Sequence, residues 1–207
     1  MNIAELESEY NNKKESYSKI INIVKFILKK EIDRKKIKYH SFYSRIKEFD
    51  SFRDKIKRKN IKDPFNEIYD LVGFRIVCLF LSDIEKIGDI IKSTFKTIEE
   101  DNKIANTKVD TFGYMSIHFK VKFKDTSDFG NKDLNNIPFE IQVRTIVQDA
   151  WASISHYLDY KQEIGMPIHL KRNLHALSGL FYLADAHFGI IKREHFRYIM
   201  TGATNEE

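Results

Sequence analysis

The chain has 207 residues, 42% hydrophobic and 31% charged, which is too apolar for disorder and long enough for one domain with helical extensions. Its 35 Lys+Arg against 30 Asp+Glu leave a net charge of +5, which permits a polyanionic partner, nucleotide or RNA, without demanding one. A single cysteine, Cys78, excludes a disulfide framework and a CxxC-type zinc site, and the longest apolar run, Ile76 to Leu81, falls far short of the ~20 residues that cross a bilayer. Met1 to Glu7 is polar and acidic and lacks the apolar centre of a secretory signal. A reduced, cytoplasmic protein with no membrane segment is expected.

In chain order, Ile3 to Ile37 reads as a helix, because Tyr17, Ile20, Ile21, Val24, Ile27, Leu28 and Ile32 recur at three- and four-residue spacing. Its other face is rich in lysine, with Lys25, Lys29, Lys30, Lys35 and Lys36. Ser41 to Ile46 suits a strand. Phe49 to Lys59 returns to helix, with a start at Asp50 or Ser51 and a basic end, and Pro64 stops the pattern. The run Ile76-Val77-Cys78-Leu79-Phe80 marks a buried central strand. Asp83 to Phe95 is an amphipathic helix capped by Ser82 or Asp83. Asp101 to Phe112 reads as a loop. Ser116 to Phe123 alternates apolar and polar as a half-exposed strand, and Asp125 to Asn136 is a second loop. Phe139 to Arg144 alternates again. Thr145 to Tyr160 and Ile168 to Ile191 are helices, the second followed by a charged tail. Strands and helices alternate, so a mixed α/β sheet flanked by helices is expected, with helices at both ends.

Several chemistries are missing. There is no GxxxxGK[ST], GxGxxG, HExxH or GxSxG, and the seven histidines lack metal-ligand spacing. Three constellations remain. Arg45 and Lys47 alternate onto one face of a strand, and Ser51, Lys55 and Arg58 or Lys59 share a face of the next helix. Together they could cradle a triphosphate, although a solvated basic helix has the same spacing. Asp70-Leu71-Val72-Gly73-Phe74-Arg75 leads into the central strand. A carboxylate there suits Mg²⁺, and a helix cap with a salt bridge is the other reading. Glu140, Gln142 and Arg144 line one face of a strand whose other face, Ile141 and Val143, is core. Such a polar row between apolar neighbours favours a site.

The order Arg-x-Lys, Asp70-x-x-Gly73-x-Arg75, Gly113-Tyr114-Met115-Ser116-Ile117-His118 and Glu140-Ile141-Gln142-Val143-Arg144-Thr145 resembles the RelA/SpoT synthetase family, from about Tyr43 to Lys161. No hydrolase domain or long regulatory tail accompanies it, so the chain looks like a stand-alone small alarmone synthetase. The resemblance implies a nucleotidyltransferase-like mixed sheet over 41–165, with an N-terminal helix over 1–40 and a C-terminal helical extension over 166–207. It also implies transfer of pyrophosphate from ATP to a ribose 3′-hydroxyl of GDP or GTP, giving (p)ppGpp. By position, Arg45 and Arg75 would flank adenine. Lys47, Ser51, Lys55, Arg58 and Lys59 would hold the ATP phosphates. Asp70 and Glu140 would be catalytic and hold Mg²⁺. Tyr114, His118, Gln142 and Arg144 would take the acceptor.

One departure bears on the acceptor. Guanine-nucleotide synthetases of the family usually carry a lysine just before the Gly-Tyr pair, and here Asp110 stands in that stretch. A toxic branch of the family modifies the 3′ end of tRNA, would bring an antitoxin partner, and would use basic surface such as Lys29 and Lys30. Stand-alone members also form homo-oligomers through terminal helices. A non-catalytic nucleotide- or RNA-binding module is the rival class, and it would tolerate loss of Asp70 or Glu140. Both carboxylates are present.

Overall fold

The structure, a computed structural model, describes residues 2–102, 116–124, 132–160 and 166–202. Helix α1 (Ile3–Arg34) opens with a capping box between Asn2 and Glu5 and buries Leu6, Tyr10, Tyr17, Ile20, Val24, Leu28 and Ile32 along one stripe. Strand β1 (Tyr39–Ile46) leads to α2 (Phe49–Lys59), the short α3 (Pro64–Glu67) and a 3₁₀ turn at Tyr69–Leu71. Then follow β2 (Val72–Cys78), α4 (Leu81–Thr94), β3 (Lys96–Asn102), β4 (Ile117–Lys122), the short α5 (Lys132–Asn136), β5 (Phe139–Thr145), α6 (Ile146–Tyr160) and α7 (Ile168–Thr201).

The described strands form one mixed sheet in the order β1-β2-β5-β4-β3. The β2–β5 pair is parallel, and the other pairs are antiparallel. Period-two alternation splits the sheet into two faces. Phe74, Ile76, Ile117, Phe119, Val121, Phe139, Ile141 and Val143 enter one core with the buried sides of α1 and α4. Phe139 sits at its centre, its ring 5.3 to 5.7 Å from those of Phe74, Phe95 and Phe123. Helix α4 approaches closely at Gly88, where a Cβ would lie 3.0 Å from the Phe119 ring. The opposite face carries Arg45, Arg75, Glu140, Gln142 and His118.

The expected mixed α/β sheet is present, with differences in detail: α1 ends at Arg34 and not at Ile37, and Lys132–Asn136, expected as loop, is helix α5. The stretch from Lys96 to Asn102 is a strand, although Ile98 is its one apolar residue. Among the described strands it is an edge strand paired only with β4, and its residues are largely exposed. The predicted caps do not form: Glu48 and Phe80 precede α2 and α4, without side-chain capping bonds. Asp83 instead is buried and takes the Lys192 ammonium at 3.1 Å. Helix α7 runs to Thr201, so the charged residues after Ile191 are helical and not a tail. The central strand starts at Val72, which places Gly73 and Arg75 inside it.

By length and composition, α7 is one helix able to cross a membrane, and little of its apolar window is buried in this chain. One side of it is nevertheless tied to the sheet domain. The Thr145 hydroxyl donates to Asp185 at 2.5 Å, the Trp151 indole donates to the Leu174 carbonyl at 3.5 Å, and Lys192 reaches Asp83.

Candidate active site

Strand register assembles the site. In one row across the sheet, Arg45 pairs with Gly73, Gly73 with Glu140, and Glu140 with Lys120. In the next, Tyr43 pairs with Arg75, Arg75 with Gln142, and Gln142 with His118. Partners in register share a face. Positions from four strands that are distant in sequence therefore converge. A pocket of about 210 Å³ opens on this face, lined by Arg45, Asp70, Arg75, Glu140 and Gln142, with Tyr43 at its rim. Gly73 lies under the Arg45 side chain, whose Cγ would be 3.8 Å from an added Cβ.

Asp70 stands in the 3₁₀ turn just before β2, at the edge of this pocket. Its Oδ2 is 3.0 Å from the Lys47 ammonium, and its Oδ1 accepts from Lys55 at 2.8 Å. Lys47 is held from both sides. Its backbone N–H donates to the Leu71 carbonyl at 2.8 Å, and its own carbonyl accepts from the Tyr10 hydroxyl at 2.6 Å. Helix α1 thus fixes a cation at the site. Burial raises the Asp70 carboxyl, but the Lys55 hydrogen bond and the Lys47 charge outweigh it and hold it below the usual carboxylate range.

Glu140 projects from β5 and accepts from the His118 ring, with Nδ1 to Oε1 at 2.6 Å. Burial pushes its carboxyl up. The hydrogen bond and charge of His118 pull it below the usual range, against the neighbouring Asp70 charge, which raises it. The pocket therefore holds two ionised carboxylates that repel each other. Their oxygens are hard donors and their repulsion is of the kind a divalent cation relieves, so the residues present fit Mg²⁺.

Arg75 and Arg144, from β2 and β5, converge on Asp149 in the first turn of α6, at 3.5 and 2.7 Å. Arg144 is buried, so it braces the base of the site and does not line the pocket.

Of the residues singled out by sequence, the structure brings Arg45, Asp70, Arg75, Glu140 and Gln142 into one pocket. Lys47, Lys55 and His118 stand directly behind its two carboxylates. Ser51, Arg58 and Lys59 are exposed on α2 and do not line it. Lys29 and Lys30 are exposed on α1, nineteen residues or roughly 29 Å further along the helix than Tyr10, the residue that touches the site. Tyr114 and Asp110 lie outside the described residues. Sequence reasoning passed over Tyr43, Ser116 and Asp149. Tyr43 could have been found from its two-residue offset to Arg45. Nothing in the sequence links Asp149 to an arginine on a distant strand.

The family described as "Region found in RelA / SpoT proteins" matches residues 44–165. GTP pyrophosphokinase YwaC of Bacillus subtilis (strain 168) is 31% identical over 160 residues, covering 73% of this chain and 72% of that protein. GTP pyrophosphokinase YjbM of the same strain is 31% identical over 155 residues, covering 72% and 70%. Among solved structures, small alarmone synthetase 1 from Bacillus subtilis superposes with a TM-score of 0.77 at 24% identity, covering 92% of this chain and 99% of that one. Small alarmone synthetase 2 from the same organism gives 0.72 at 25% identity, with 92% and 99% covered.

Proposed function

Because the chain belongs to the RelA/SpoT family and is a pyrophosphotransferase of the GTP pyrophosphokinase type, we propose that it moves the β,γ-pyrophosphate of ATP to the ribose 3′-hydroxyl of GDP or GTP, with AMP as the leaving group. The observation that carries this reading is the pair of ionised carboxylates, Asp70 and Glu140, in a pocket flanked by Arg45, Arg75, Lys47 and Lys55.

Such a transfer needs charge neutralisation and in-line placement more than covalent help. Arg45 and Arg75 reach the pocket from adjacent strands, and their planar guanidinium groups suit the two faces of adenine. Lys47 and Lys55 stand ready to exchange Asp70 for phosphate oxygens, with Ser51, Arg58 and Lys59 extending that cationic track along α2. Glu140, ionised at neutral pH, receives the acceptor hydroxyl proton. Asp70 and Glu140 would hold Mg²⁺, which when bound supplies charge neutralisation on the phosphates. Gln142 lies on the acceptor side of the pocket.

The guanine acceptor follows the two relatives named GTP pyrophosphokinase. The tRNA alternative would lay the phosphates of an acceptor stem on the basic face at Lys29 and Lys30, and the two relatives named GTP pyrophosphokinase favour the guanine acceptor over it. We place the catalytic unit at 41–165, with α1 and α7 as its extensions. The exposed apolar residues of α7, among them Leu177, Leu180, Leu183 and Ile191, suit a homo-oligomer in the cytoplasm. The test is incubation with γ-labelled ATP and Mg²⁺ plus GDP, GTP or deacylated tRNA. Label should enter the guanine nucleotides, and label entering tRNA alone would overturn the acceptor reading.

A further inference from the structure

Glu140 is gripped from the neighbouring strand through a row of three side chains. The His118 ring places Nδ1 2.6 Å from Glu140 Oε1 and Nε2 2.8 Å from Ser116 Oγ. An ionised carboxylate can only accept, so Nδ1 carries the proton and donates it. Nε2 meets the Ser116 hydroxyl, which can either donate to it or accept from it. The order Ser–His–Glu matches that of a hydrolytic triad, but Ser116 is fully buried, so it cannot be a nucleophile. It anchors the ring, and the row acts on the carboxylate at its other end.

We propose that His118 is a positioning residue for Glu140. Donation from Nδ1, with the ring fixed by Ser116, holds one carboxylate oxygen and leaves the other for the acceptor hydroxyl. This rests on the reading of Glu140 as the carboxylate that receives that hydroxyl. It gives His118 a role through Glu140, where the sequence suggested contact with the acceptor. The strand geometry supports it. His118 projects from β4 on the same face as Glu140, next to the register pair Lys120–Glu140, and its ring spans the one-step diagonal between strands.

Asparagine carries an amide nitrogen near the place of Nδ1, whereas glutamine carries one near Nε2. The experiment compares the purified full-length His118→Asn, His118→Gln and His118→Ala variants with Glu140→Gln, using ATP and GDP. Circular dichroism confirms the fold of each. With the proposed role, His118→Asn keeps kcat within about threefold, while His118→Gln and His118→Ala lose about tenfold or more. KM for ATP and for GDP should stay within about twofold throughout. Equal loss in the folded Asn and Gln variants would overturn the proposal. So would a raised KM for GDP with kcat preserved, which marks an acceptor contact. An inactive Glu140→Gln beside a fully active His118→Ala would overturn the role of His118 alone. A Glu140→Gln variant that still turns over would overturn the reading of Glu140 and this proposal with it.

Discussion

Arg144 of β5, only 2% exposed, forms an ion pair at 2.7 Å with the half-buried Asp149 of α6. The carboxylate lies in the first turn of a helix, where the macrodipole favours negative charge. It also meets Arg75 at 3.5 Å. One side chain thus compensates a guanidinium behind the site and steadies another that lines it. Removing it would leave a buried cation without this partner. We expect Asp149→Ala to lower stability by roughly 1–3 kcal/mol, the cost of depriving a buried donor of one partner. The double variant Asp149→Ala with Arg144→Met should recover part of that loss. Urea unfolding measures both, and a single variant within about 0.5 kcal/mol of wild type would show that the pair is not structural.

Glu140→Gln should abolish transfer and leave the fold intact, because an amide neither accepts the hydroxyl proton nor binds a hard cation well. Turnover above about a tenth of wild type, a loss of only ~1.4 kcal/mol, would refute the role. Asp70→Asn should also inactivate, with partial rescue by raised Mg²⁺ or by Mn²⁺.

Arg45→Ala and Arg75→Ala should each raise the KM for ATP, since a methyl group cannot stack on adenine. Loss of one stacking face costs roughly 1–3 kcal/mol in comparable base contacts. Unchanged ATP affinity in both variants would move adenine elsewhere.

The face that carries the pocket was legible because it is built from period-two patterns. Glu140, Gln142 and Arg144 alternate with core residues, and Arg45 follows Tyr43 by two. What was not legible depends on partners far along the chain. Lys192 looks like part of a charged tail until Asp83 is placed against it. Arg75 and Asp149 are neighbours only because β2 and β5 are parallel and α6 starts where β5 ends. Strand β3 has no buried residue, so its sequence carries no apolar alternation, and pairing with β4 makes it a strand. That Ser116 anchors a ring, in place of meeting a ligand, is a matter of burial that a hydroxyl does not advertise.

The buried carboxyls should give stability two opposite pH dependences. Asp70 and Glu140 lie below the usual range when folded, so each binds fewer protons folded than unfolded. Their contribution is present above about pH 4 and is lost as pH falls through their folded values. Asp185 is reversed: burial raises it, against the Thr145 hydrogen bond. Its contribution is present below about pH 4 and is lost as pH rises through its folded value. Asp70→Asn should therefore flatten the acid limb of Tm against pH. Asp185→Asn keeps an acceptor for Thr145 and should be at least as stable as wild type at pH 7. A steeper acid limb in the first, or a lower neutral Tm in the second, would contradict these assignments.

Helix α7 decides between two fates for an apolar surface. Leu177, Leu180, Leu183 and Ile191 are all exposed, and contiguous apolar surface of this kind marks a protein or membrane contact. Asp185, which bonds Thr145, and Lys192, which meets Asp83, tie the helix to the sheet domain. A bilayer would have to strip those polar contacts or accept the domain with them. Burial against a second copy requires neither. We therefore expect sedimentation to give a mass above the 24.5 kDa of one chain. Leu180→Glu with Leu183→Glu should reduce that mass, because two charges on each copy would face apolar neighbours across the contact. Both positions are exposed, so circular dichroism should stay unchanged. A wild-type chain that sediments at the mass of one copy would remove the oligomer. Recovery of the wild type with vesicles, abolished by the double variant, would assign the surface to lipid instead.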